Sequence, residues 1–180
     1  MSVQVTFYIL IAFIIAYGVT APELALSRDT MLTAVLIAAA IMVPSQFYFS
    51  GLSDRVGRKQ IYRWGAILTG LWGFALFPLI NTGEPLMIVI AVTLGLTFLG
   101  MQYGPQAAYF TELFTTEVRY SGASLGYQIG AILGGALAPT IAVLLWNELG
   151  IFYVSVYILV AAILTLLSLS ALEETKGRML

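Results

Sequence analysis

This sequence predicts an all-α integral membrane protein of six transmembrane helices, on three observations. Hydrophobic residues make up 60% of the chain and charged residues only 9%, against roughly 25% charged in a soluble domain. That leaves too little polar surface to coat a water-soluble globule. The apolar residues fall into six runs, each close to the roughly 20 residues that cross a hydrocarbon core. The basic residues, finally, gather in alternate links between those runs. In lipid every backbone polar group needs a partner within its own segment, so runs of this length form helices.

The first run, residues 3–19, starts almost at Met1 and has no interfacial anchor on its leading side. It is either a short helix or one begun part-way along. No charged leader or small-residue cleavage site marks it as a signal peptide. The second run, residues 30–49, follows a Pro22-Glu23 turn and carries Pro44-Ser45-Gln46 near its end. The third, residues 61–80, stops at Asn81-Thr82-Gly83-Glu84-Pro85, a cluster of turn formers. Near the end of the fourth run, residues 86–110, Gln102, Gln106 and Tyr109 fall at i, i+4 and i+7, on one helical face. Gly104-Pro105 loosens the backbone there. In the fifth run, residues 121–146, Gly122, Gly126, Gly130 and Gly134 repeat every four residues. Such a face lets another helix approach closely, and packing is the reading preferred for it. After the turn Asn147-Glu148-Leu149-Gly150 the sixth run covers residues 151–171. No link can hold a soluble domain, so residues 1–180 read as a single six-helix bundle.

Orientation follows from the basic residues. If the N-terminus is cytoplasmic, the inner side holds Arg55, Arg58, Lys59, Arg63, Arg119, Lys176 and Arg178, and the outer side only Arg28. Short loops rich in Lys and Arg stay inside, so both termini are expected in the cytoplasm.

Several kinds of chemistry drop out. There is no cysteine and no histidine, which removes disulfides, thiolate nucleophiles and the commonest general base and metal ligand. Neither a metal nor another cofactor is expected. Gly122-Ala123-Ser124-Leu125-Gly126 formally matches a nucleophile elbow, but an elbow needs a preceding strand and a base within reach. An enzyme is not expected. The net charge of −1 gives no case for a nucleic-acid partner.

The densest charge lies in Ser50-Gly51-Leu52-Ser53-Asp54-Arg55-Val56-Gly57-Arg58-Lys59, which reads as a tight cationic loop joining two helices. Its Asp-Arg-x-Gly-Arg-Lys core resembles the loop signature of the major facilitator superfamily, with Ser50 where the family usually has glycine. The stretch from Thr111-Glu112 through Glu117-Val118-Arg119 to Gln128 resembles the segment between helices ten and eleven of that family's metabolite–proton symporters. The tail Glu173-Glu174-Thr175-Lys176-Gly177-Arg178 resembles the ending after their helix twelve. Three signals in the right order identify the chain as similar to the C-terminal six-helix half of a twelve-helix fold, with its first helix begun part-way.

The resemblance implies a part of a secondary transporter that moves a small polar metabolite, an organic acid or an osmolyte, across the bacterial inner membrane. Proton symport by alternating access is the expected mechanism. The alternative is a non-transporting fragment that only sits in the membrane. Implied partners are the lipid bilayer, the substrate, a proton, and either an N-terminal six-helix half or a second copy of this chain. By the same analogy a cytoplasmic charge network involves Asp54, Arg55, Gly57, Arg58, Lys59, Glu112 and Arg119, with Glu117 a further acidic candidate. Tyr8, Gln46, Gln102, Tyr103, Gln106 and Gln128 are the expected path-lining residues. For the glutamines the competing reading is plain interhelical hydrogen bonding.

Overall fold

The computed structural model describes residues 1–175; Lys176 and Arg178, counted above among the inner cations, lie outside the described residues. Six helices are long and apolar enough to cross a membrane, and among the described residues there is no strand. They are α1 (Ser2–Thr20), α2 (Arg28–Val56), α3 (Arg58–Ile80), α4 (Pro85–Glu112), α5 (Arg119–Leu149) and α6 (Ile151–Ala171).

Local chemistry explains most of the ends. Ser27 caps α2, its Oγ accepting from the Thr30 N–H at 3.0 Å, and Asp29 adds a negative charge to the first turn. Pro85 opens α4, where its missing N–H costs nothing. The α2–α3 link differs from the loop read in the sequence. Helix α2 runs on to Val56 and α3 restarts at Arg58, so the whole connection is Gly57, at φ 131°. Ser50 to Val56 are therefore the last turns of a helix that continues beyond the apolar run, through Gly51, to Gly57.

Two helices carry wide turns in mid-course. α1 passes through a π-helical segment at Ile9–Phe13, and α5 through another at Ile132–Ala136. Such segments appear mostly at functional positions in helices. The turns of α1 that precede its π segment pack against the π segment of α5, with the Tyr8 ring against Gly135.

α4 lies between α2 and α3, α3 takes α6 on its other side, and α1 touches α2, α4, α5 and α6. The closest crossing is between α2 and α4, where a Cβ on Gly104 would fall 2.7 Å from the Gln46 carbonyl oxygen. At the end away from the charged motif, Phe13, Tyr17, Phe77 and Trp146 join α1, α3 and α5 edge to face, with centroids 5.0–6.2 Å apart. The Tyr17 hydroxyl there donates to Asn81 Oδ1 at 2.7 Å.

The glycine ladder of α5 does not form a continuous packing stripe, a correction to the expectation above. Gly122 abuts the Phe114 ring and Gly134 abuts Met1, but nothing lies within 4 Å of a Cβ placed on Gly126 or Gly130. The first half of α5 stands off the bundle, and none of its residues from Arg119 to Ala131 is buried.

Candidate functional site

Two features at one end of the bundle carry the functional candidates: a charge cluster and a cavity. The cluster centres on Arg58, the first residue of α3. Its Nε lies 2.6 and 2.7 Å from the two Glu112 carboxylate oxygens, and its Nη1 is 2.8 Å from Asp54 Oδ1, one turn back across Gly57. The guanidinium thereby ties the ends of α2, α3 and α4 together. Burial differs sharply along it, with side-chain exposures of 7% for Glu112, 17% for Arg58 and 58% for Asp54.

The chain's last described residues fold back over this cluster. Glu174 Oε1 accepts the backbone N–H groups of Arg58 at 3.0 Å and Lys59 at 3.4 Å. A carboxylate thus caps the otherwise unsatisfied start of α3, where the helix dipole favours negative charge. The Thr175 hydroxyl donates to Glu112 Oε2 at 2.5 Å, the Tyr109 hydroxyl donates to the Glu173 carbonyl at 2.9 Å, and Lys59 Nζ donates to the Leu172 carbonyl. Gly57 is required twice over: by its positive φ, and because a Cβ would sit 2.7 Å from Glu174 Oε2.

Of the expected network residues, Asp54, Gly57, Arg58, Lys59 and Glu112 come together. Arg55 is exposed and borders a depression with Phe47, Tyr48, Gly51 and Leu52. Arg119 starts α5, and its Nε is buried without a hydrogen-bond partner. Glu117 is exposed in the α4–α5 link. Glu174 and Thr175 were not singled out as individual residues; the signal for them was the resemblance of the tail alone.

The cavity, about 250 Å³, lies between α4 and α5 and is lined by Tyr103, Gln106, Ala107, Phe110, Thr111, Ala123 and Tyr127. The phenol groups of Tyr103 and Tyr127 interact across it. Gln106 is only 8% exposed, and its Oε1 is buried without a partner. A buried amide oxygen lacking a donor costs free energy, of the order of 1–3 kcal/mol, that a bound donor would relieve. The site offers aromatic faces with the Gln106 side chain in its wall, and no lining residue is charged.

The other expected lining residues lie elsewhere. Gln102 is fully buried inside the bundle, accepting from the Ser2 hydroxyl at 2.6 Å and donating to Thr69 at 3.0 Å. Ser2 N–H in turn donates to Thr165 Oγ1 at 3.0 Å, so the network links α1, α3, α4 and α6. Gln46 is half-buried at the α2–α4 crossing, Tyr8 packs by the α5 π segment, and Gln128 is exposed on α5 next to Tyr127. Tyr127 was missed because its neighbour Gln128 looked the more polar. The clue was there: Ala123 and Tyr127 are one turn apart, and so share a helix face. Among the described residues no group of three His, Cys, Asp or Glu is placed to hold a metal.

Comparison with known proteins agrees with this architecture. Residues 1–178 match the family model described as Major Facilitator Superfamily. The inner membrane metabolite transport protein YhjE of Escherichia coli (strain K12) is 36% identical over 97% of this chain and 40% of its own length. A Haemophilus influenzae protein with a metabolite-transport name is 35% identical over 95% of the chain and 41% of its own. The shikimate transporter of E. coli is 30% identical over 82% of the chain and 35% of its own. The chain therefore spans about two fifths of the length of the curated relatives it matches. No solved structure matches it.

Proposed function

The chain belongs to the Major Facilitator Superfamily, and from that premise we propose that it forms the C-terminal six-helix part of a proton-coupled metabolite transporter. It is an integral membrane protein and a transport protein, not an enzyme. In this reading the cluster of Asp54, Arg58 and Glu112, strapped by Glu174 and Thr175, holds the cytoplasmic side closed. It releases when the half rocks about its midplane site. The α4–α5 cavity takes part of the substrate.

One observation carries the substrate reading: the unpartnered Gln106 Oε1 beside a cavity walled by Tyr103, Phe110 and Tyr127. An uncharged lining of this kind suits a small molecule rich in O–H or N–H donors, or one with a diffuse cation to set on a phenol face. Relatives named for shikimate and for proline/betaine transport fit those two descriptions. Gln128, Gln46 and Tyr8, each away from the cavity in this conformation, would line the path in another one. The inner membrane, with both termini in the cytoplasm, is the proposed location.

The test is uptake of radiolabelled shikimate, proline and betaine into proteoliposomes under an imposed proton gradient. The chain is assayed alone and co-reconstituted with the N-terminal six helices of YhjE. Uptake of one of the three that falls at least tenfold in Gln106→Leu, and collapses with the gradient, supports the reading. Silence of both preparations towards all three favours the non-transporting fragment.

A further inference from the structure

Helices α3 and α6 run antiparallel: Lys59 at the start of α3 bonds to Leu172 just past the end of α6, and Ser155 near the start of α6 donates to the Gly73 carbonyl at 2.7 Å. Near the charged end the two helices leave a cavity of about 370 Å³. Its α3 wall is Lys59, Arg63 and Ile67, one helical turn apart on a single face. Its α6 wall is Leu166, Leu169 and Ser170. Antiparallel packing sets Ser170 level with the cations and Leu166 between Arg63 and Ile67. The groove is therefore cationic at its mouth and aliphatic about 6 Å deeper, one turn along the helix.

The cations are available at that mouth. Lys59 Nζ donates to the Leu172 carbonyl, which fixes its position, and an ammonium carries three donors. Arg63 is exposed and, among the described residues, makes no ion pair. Glu174 meets the backbone N–H of Lys59 at 3.4 Å, and Asp54 and Glu112 are held by Arg58.

A soluble anion would use the two cations and leave the aliphatic wall wet. A zwitterionic lipid would use the wall but bring its own cation to the mouth. Basic grooves between membrane helices at the headgroup level favour anionic lipids. We propose that the α3–α6 groove binds one anionic phospholipid, with its phosphate between Lys59 and Arg63 and an acyl chain along Ile67, Leu166 and Leu169. The site shares no residue with the α4–α5 cavity and stands whether or not the chain transports.

The full chain is purified in detergent, exchanged into dioleoylphosphatidylglycerol or dioleoylphosphatidylcholine, and weighed by native mass spectrometry as lipid is stripped. One phosphatidylglycerol should survive where phosphatidylcholine does not. Arg63→Glu, a surface change, should lower its retention by more than about fivefold, the effect of one cation near a membrane surface, and Arg63→Lys should preserve it. Ile67→Trp, which fills the groove without touching a charge, should also release it. Equal retention of the two lipids, or indifference to both Arg63→Glu and Ile67→Trp, overturns the proposal. So does displacement of the lipid by millimolar inorganic phosphate, which would make the groove an anion site only.

Discussion

Arg58 shows how little of a charged motif decides its energetics. Its two carboxylate partners differ in burial, and burial sets the cost of losing each. Asp54 is mostly in water, where an ion pair contributes about 0–1 kcal/mol. Glu112 is nearly enclosed; removing it leaves the mostly buried guanidinium with only its solvent-facing Asp54 partner, a loss of about 3 kcal/mol at the low end of the range for broken buried pairs. It also takes the acceptor from Thr175, loosening the tail. Glu112→Ala should therefore lower the thermal unfolding midpoint in detergent clearly, and Asp54→Ala barely, as followed by helical circular dichroism. Equal effects would mean that the pair is hydrated in solution. Arg58→Lys should resemble Glu112→Ala more than wild type, because a lysine cannot reproduce the guanidinium's fork.

At the scale of elements, the six spans were legible because hydrocarbon thickness imposes a length that the sequence cannot disguise. The edges were less so: the charged residues Asp54 and Arg55 mark where a helix leaves the apolar layer, not where it stops being a helix. The π segments were invisible, since Ile9–Phe13 contains nothing but ordinary apolar residues and the extra residue per turn is a response to tertiary packing. Glycine spacing was legible as a pattern but not as a contact, because a stripe of small residues says that a helix can approach and not that one does. The contrast can be tested. Gly104→Ala puts a methyl 2.7 Å from a backbone oxygen of α2 and forces the α2–α4 crossing apart, a cost of about 1–3 kcal/mol. Gly126→Ala meets nothing within 4 Å and should be neutral, or stabilise by up to about 1 kcal/mol through helix propensity. Thermal unfolding of the two variants in the same detergent decides it. A harmless Gly104→Ala would mean that the crossing is looser than described.

Across the whole molecule, burial is uneven in a way that matters for what surrounds it. Inside the bundle lie 56% of the apolar window of α1 but only 17% of that of α2 and 22% of that of α5. The candidate site inherits this asymmetry: the cavity borders α5, one of the two least buried helices, so a single chain's sequence could nominate Tyr103 and Gln106 but not the wall they face. What the sequence predicts for the molecule as a whole is its direction, through the cations gathered at the Arg58 end. The chain has no cysteine, so a single introduced thiol reports its own side of the membrane without background. Thr82 lies in the exposed α3–α4 link and Asn147 is exposed in the last turn of α5, both at the aromatic end, and Gln60 and Thr116 are exposed at the charged end. In cells expressing the chain, Thr82→Cys and Asn147→Cys should react with a membrane-impermeant maleimide from outside. Gln60→Cys and Thr116→Cys should react only after permeabilisation. That result follows because each arginine or lysine moved outward across the membrane works against the rule that keeps such residues in the cytoplasm, and here nearly all of them sit at one end. The reverse pattern would invert the molecule, place the Arg58–Glu112 cluster at the outer face, and remove the cytoplasmic latch from the proposed mechanism.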